Sequence, residues 1–255
     1  MPPSRRRHPP RAHPALGIFL LLAVASCYPA AAGSLADLEE ALAAGHYAQA
    51  LRSARKQLAS LPEDVLTHRR SLDDLGLAIT YLAVAEAGTG DLDAAFWHGQ
   101  VARALFPAAA RCDLAAFGEA GQALRRPPAL PAGSPAPREL DERSLRGGIT
   151  LPEKLRGADP RFPNVALRGM QAEVTVRLLI ATDGHPAQPK LLRQRGDAVL
   201  LFLGLEAVRQ WTFKPATVQD QPVPALWPLT VSFAASTQLP AVRLSPVAIP
   251  TTPPP

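Results

Sequence analysis

The residues in this chain best equipped for covalent chemistry are its two cysteines, Cys27 and Cys112. A thiol can be acylated, oxidised, metallated or used as a nucleophile, and its surroundings decide which. Cys27 follows Val24-Ala25-Ser26, the small and apolar run that precedes an acylated cysteine in a bacterial lipobox. With Cys27 inside or beside a leader, no intramolecular disulfide framework is open to the mature chain. Cys112 then reads as a solitary, buried, small hydrophobe. The histidines offer less. His68 and His98 have no ligand residue at i+4, which argues against a metal site. His185 stands beside Asp183 in a turn sequence and reads as turn chemistry. The chain has no Gly-x-Ser-x-Gly elbow, no phosphate-cradling glycine loop and no His-Glu-x-x-His. The expectation is a binding protein: no catalytic residue, no metal, no cofactor.

The first 33 residues are read as a targeting segment. Arg5, Arg6, Arg7 and Arg11 are followed by the apolar run Leu16–Ala25, then by small residues. That order is a secretory signal, and the run is short of the roughly 20 residues a spanning helix needs. Two processing sites compete, the lipobox ending at Cys27 and Ala30-Ala31-Ala32 before Gly33. An uncleaved anchor reaching Ala32 is the third reading. All three place the mature chain in a periplasm, free or tethered to a membrane through Cys27 or the N-terminal segment. The charge follows: the formal net charge is +5, and without those arginines 23 basic residues face 22 acidic ones. The basicity belongs to the leader, so a nucleic-acid partner is not indicated.

Composition then divides the chain. Residues 34–124 are Ala- and Leu-rich and predict helices. Residues 125–148 open Arg-Arg-Pro-Pro-Ala-Leu-Pro-Ala-Gly-Ser-Pro-Ala-Pro-Arg, a stiff linker. Residues 149–235 switch to period-two patterning. Residues 236–255 end Thr-Thr-Pro-Pro-Pro and are expected to be a disordered tail. The fold class is α+β.

Within the helical part, Gly45-His46-Tyr47-Ala48-Gln49-Ala50-Leu51 precedes Pro62, and Gly90-Asp91-Leu92-Asp93-Ala94-Ala95-Phe96 precedes Pro107. Both Gly-to-Pro separations are 17, and the copies lie 45 apart. A glycine closes one helix in a left-handed conformation, a small Ala allows close approach, and a proline ends the next helix. This resembles the tetratricopeptide repeat, with a longer period and two units. The resemblance implies a groove for a peptide or partner.

In the C-terminal part, Val174, Val176, Leu178 and Ile180 alternate with Glu173, Thr175 and Arg177, a half-buried strand. Asp183-Gly184 is a hairpin signal, and Lys190–Gln194 supplies the return. Pro186 and Pro189 suit an edge strand. Asp197 caps a helix to about Gln210, with Ala198, Leu201, Leu205 and Val208 on its apolar face. Trp211 and Phe213 start a short strand as core residues. A turn follows at Gln219-Asp220-Gln221. Trp227, Leu229, Val231 and Phe233 then alternate with Leu226, Pro228, Thr230 and Ser232 as a second strand. The order is β-β-α-β.

Phe162-Pro163, Gly169-Met170, the strand 174–180, Asp183-Gly184, Gly196, the run Ala207-Val208-Arg209-Gln210-Trp211-Thr212-Phe213-Lys214-Pro215-Ala216 and Pro222-Val223 together resemble the TonB C-terminal domain family. Departures are Phe162 for the usual Tyr and Arg195 for a Ser. The resemblance implies recognition of an extended peptide, such as the N-terminal segment of an outer-membrane receptor, added as a strand to a free sheet edge. The expected edge is the last strand: Leu226, Pro228, Leu229, Thr230, Val231 and Ser232. Coupling to transport across the outer membrane is the implied role. A periplasmic scaffold gripping envelope proteins or cell wall, and an inner-membrane energy transducer with an uncleaved anchor, are the alternatives. Edge pairing of two copies into a homodimer is open.

Overall fold

The computed structural model describes residues 33–140, 146–163, 170–234 and 241–246. Its N-terminal half is helical: α1 Gly33–Ala43, α2 Tyr47–Leu58, α3 Leu61–Leu66, α4 Leu72–Gly88, α5 Leu92–Leu105, α6 Pro107–Arg111, a 3-10 turn at Leu114–Phe117 and α7 Gly118–Ala123. The two sequence echoes fold alike. Gly45 and Gly90 take φ of +76° and +92°, ending α1 and α4 in the left-handed region. The small residues five positions on, Ala50 and Ala95, are fully buried where the following helix meets its neighbour. Pro62 and Pro107 differ from expectation. Each lies in the first turn of a further short helix, α3 or α6, where proline's missing N–H costs nothing. Each echo is therefore two helices and a short third one.

Helix α4 is the axis of this half, buried on nearly all sides from Leu75 to Glu86. Two glycines let neighbours come close. A Cβ on Gly76 would fall 2.4 Å from the Phe106 side chain, and one on Gly88 2.1 Å from the Tyr47 ring. Its start is fixed by a reciprocal capping box: Asp74 N–H donates to Ser71 Oγ and Ser71 N–H to Asp74 Oδ2. At the other side of α4, the Tyr81 hydroxyl donates to Glu39 of α1. Burial and that carboxylate push the tyrosine far above its ordinary range.

The C-terminal half is a sheet with one helix. The main strands are β3 Gln171–Ile180, β4 Pro186–Gly196 and β8 Ala225–Ala234. Shorter ones are β1 Arg138–Glu139, β2 Glu153–Arg156, β5 Thr212–Lys214, β6 Ala216–Val218, β7 Gln221–Val223 and β9 Ala241–Pro246. β3 pairs antiparallel with β4 and, along all ten residues, with β8. The turn between β3 and β4 needs Gly184. Its φ is +83°, and a Cβ there would lie 2.0 Å from the Phe213 carbonyl oxygen. Strand β4 runs longer than the expected 190–194 and ends the sheet, in keeping with its prolines. Helix α8, Ala198–Arg209, is capped by Asp197, whose Oδ1 accepts from the Val199 and Leu200 amides. Asp197→Ala should cost about 1 kcal/mol, read as a lower urea midpoint with an unchanged slope.

Three expectations change. Within the expected linker 125–148, the described residues 125–140 are stitched to the sheet rather than standing clear of it. Arg138 N–H donates to Pro224 O, Leu140 is buried, and Pro128 O accepts from the Gln188 amide group. The tail expected to be disordered contains β9, because Ala241-Val242-Arg243-Leu244-Ser245 has strand periodicity inside proline-rich surroundings. Cys112 is not a solitary thiol: it is disulfide-bonded.

The two halves do not stand apart. One hydrophobic core runs through both. Helix α5 packs on β4 and α8, and α3 packs on α8. Helix α8 is therefore buried on two faces. Leu201, Leu205 and Val208 are buried as expected, and Val199, Leu200 and Phe202 are buried as well.

Candidate functional site

Strand β8 carries all the residues expected to form a receiving edge, and it brings them together in one ladder. On the β3 side, Leu226 faces Leu179, Pro228 faces Arg177, Leu229 faces Val176, Thr230 faces Thr175, Val231 faces Val174 and Ser232 faces Glu173. Leu229 and Val231 are buried toward α8. Thr230 and Ser232 lie on the opposite, polar face. There the hydroxyls of Thr175 and Thr230 sit 2.9 Å apart, and Ser232 Oγ donates to Glu173 at 3.3 Å. Arg177 reaches across the same face to Glu139 of β1 at 3.1 Å.

The expectation of a free edge is corrected. β1 runs parallel to β8 at Ala225 and Leu226. β9 runs antiparallel along Leu229–Ala234, placing Pro246 opposite Leu229, Ser245 opposite Thr230, Leu244 opposite Val231 and Arg243 opposite Ser232. Leu226, Leu229, Thr230, Val231 and Ser232 therefore all face a second strand. Pro228 falls between β1 and β9, a position suited to a residue with no N–H to offer. A six-residue strand beyond the module's end hides the edge, and the proline-rich composition around it masked that strand in the sequence. Val231→Pro is for the same reason no clean probe of strand addition, since it breaks a central strand. Cys27 lies outside the described residues.

The far side of the sheet is also guarded. Helix α5 lies against β4, and Gln194 Nε2 donates to Ala104 O at 3.0 Å. At the open end of β4, Leu192 is the bulged residue between Leu191 and Arg193 and is 51% exposed.

A second constellation went unread in the sequence. His98 of α5, only 2% exposed, lies between two carboxylates from different elements. Its Nδ1 is 2.5 Å from Glu86 Oε2 of α4. Its Nε2 is 3.2 Å from Glu206 Oε1 of α8. Arg55 stands 3.8 Å from Glu86, and Arg209 stands 3.8 Å from Glu206. Burial pulls the imidazole toward neutrality, but Glu206 and Glu86 outweigh it and push its pKa up to about 9. Burial likewise pushes Glu206 up, and His98 and Arg209 together hold it below the ordinary carboxylate value. The ring is thus an imidazolium with both N–H groups donating, one to each half of the molecule. The five groups all line a cleft of about 390 Å³ between the halves. The histidine was visible, but its partners are 12 and 108 residues away in sequence, so no spacing rule reaches them. Among the described residues, no group of three or more His, Cys, Asp or Glu side chains could hold a metal ion.

Trp211 and Phe213 are core residues, as expected. Trp211 Nε1 donates to Ala158 O at 2.9 Å, Lys154 Nζ lies 3.6 Å from the ring centroid, and Gly157 leaves the room the indole fills. Arg209 pairs with Glu206 and so serves structure.

Comparison with known proteins adds one finding. Residues 158–234 match the family model described as Gram-negative bacterial TonB protein C-terminal. The match starts just after β2 and ends with β8, so it includes β3 to β8 with α8 and excludes β1, β2 and β9. No curated protein and no solved structure matches the chain.

Proposed function

We propose that this chain is a TonB-family binding protein of the cell envelope that receives an extended segment of a protein partner as an added strand along β8. The observation that carries the proposal is the behaviour of the outer side of β8. It takes a parallel strand from before the matched domain and an antiparallel one from after it. Main-chain hydrogen bonding there does not depend on a single direction or sequence. The domain match supports a protein partner, and the segment that fits this reading is one such as the N-terminal stretch of an outer-membrane receptor. A partner strand in the place of β9 meets Phe233 and Val231 on the buried face and Ser232 and Thr230 on the polar face. An alternation of apolar and polar residues suits it best.

The test is hydrogen exchange on the full chain with and without synthetic peptides copied from receptor N-termini. Altered exchange confined to the amides of 229–234 and 241–246 supports the reading. No change there with any peptide overturns it.

How the chain is held in the envelope is a separate part of the proposal. Among the described residues no helix is long and apolar enough to cross a membrane. A sulfur that carries an acyl-linked glyceryl thioether is not available for a disulfide. Lipidation of Cys27 and a bond between the two cysteines therefore exclude each other. Intact mass under non-reducing conditions should show either a lipid on Cys27, a start near Gly33, or an unprocessed N-terminus. The last outcome is the one an inner-membrane transducer requires.

A further inference from the structure

We infer that β9 is a tethered, exchangeable cap on β8 that competes with any incoming strand; this rests on the strand-addition reading above and adds its regulation.

Three features of the strand set it apart from the rest of the sheet. First, it covers Leu229–Ala234 of β8, whereas β3 covers the whole strand. Second, its packing is chiefly against β8, and among the described residues it lies off the main strand order with no strand beyond it. A strand at the edge of a sheet, held by one ladder, opens more readily than one paired on both sides. β3, by contrast, is clamped between two strands and under a helix. Third, it lies outside the domain match, which ends at residue 234.

Its tether is short. Residues 235–240 join Ala234 to Ala241, so β9 acts on β8 at an effective concentration in the mM range. A free peptide must outcompete that. If β9 is docked in all but about 1–10% of molecules, the apparent affinity for a second strand falls 10- to 100-fold. The cap also answers a liability. An uncovered β8 would present a row of unpaired amides and carbonyls over Leu229–Ala234, a template for self-association.

The experiment uses a fluorescent synthetic peptide of residues 239–248 as probe. It is titrated into the full chain, into a chain ending at Ala234, and into a full-length chain carrying Arg243→Pro and Ser245→Pro. Leu226 O turns outward to accept from Leu140 N–H, so by alternation Thr230 and Ser232 turn their main-chain groups toward β9, and their partners Ser245 and Arg243 carry the amides that face β8. The double substitution removes those two donors without shortening the chain. Binding to either variant at least tenfold tighter than to the full chain supports the cap. Equal binding to all three, or binding to none while circular dichroism shows the variants folded, overturns it. Should truncation unfold the protein, the full-length double variant decides alone. A Thr230→Cys, Ser245→Cys pair adds a reverse control, since those residues are direct partners. Oxidised, it should exclude the probe from the proline-free chain at every concentration. Receptor-derived peptides run beside the probe separate the two claims. If they bind neither the full chain nor the variants while the probe binds the variants, the choice of partner is wrong and the cap stands.

Discussion

His98→Ala should lower stability by about 3–5 kcal/mol, since it leaves two carboxylates in a buried site without their shared cation. For a chain of this size the melting temperature should fall on the order of 10 °C. The loss is one of charge compensation more than of volume. His98→Leu combined with Glu86→Leu and Glu206→Leu should therefore recover most of it, because well-packed apolar groups replace a buried ion cluster at little net cost. Urea titrations of the single and triple variants decide this. A triple variant no more stable than His98→Ala would show that the cluster contributes something beyond compensation.

The same cluster fixes a pH window. The folded pKa of His98 is raised from 6.5 to about 9. Its contribution is therefore complete below pH 6.5 and is lost as pH rises toward 9. Glu206 has the opposite sense. Its folded pKa lies below the ordinary 4.5, so its contribution is complete above that value and is lost on acidification. Stability should peak between these limits, and His98→Ala should flatten the alkaline limb and also weaken the acid one, because His98 is the main group holding Glu206 down against its burial.

Trp211→Ala should be as damaging, about 3–5 kcal/mol, for a large buried aromatic replaced by a methyl group. The indole is fully buried and ties β5 to the segment at Gly157 and Ala158 through ring packing and its N–H. Trp211→Phe keeps most of the volume but strands the Ala158 carbonyl, and should cost roughly 1–3 kcal/mol. Fluorescence-monitored unfolding in urea measures both. A Trp211→Ala protein with an unchanged midpoint would mean the indole is not the keystone its contacts suggest.

What could be read from residues alone follows from range. Val174, Val176, Leu178 and Ile180 announce β3 because alternation is a property of neighbours. Asp183-Gly184 and Asp197 announce a turn and a cap for the same reason. Gly45 and Gly90 announce helix ends because they must adopt positive φ. The order of the module was legible as well, through the run from Ala207 to Ala216. What was missed is long-range or masked by composition. Glu206 looked like an exposed helix residue, since nothing in α8 says that α5 covers it. Arg138–Leu140 and Ala241–Pro246 were assigned to linker and tail because prolines dominate their flanks, yet each holds a short stretch able to pair. The free edge was inferred from β8 in isolation, and only the two borrowed strands close it.

Helix α8 shows what this arrangement asks of anyone who would take the molecule apart. It serves two masters, and its residues Val199, Phe202 and Glu206 answer to the helical half as much as to the sheet. Excised at residue 149, the sheet unit would carry an oily, half-charged scar into water, and its stickiness in a pull-down would say nothing of its natural partner. Grafting onto another carrier would fare no better unless the surface of α5 travelled with it. The cut that looks natural in the sequence is thus the wrong one for the laboratory.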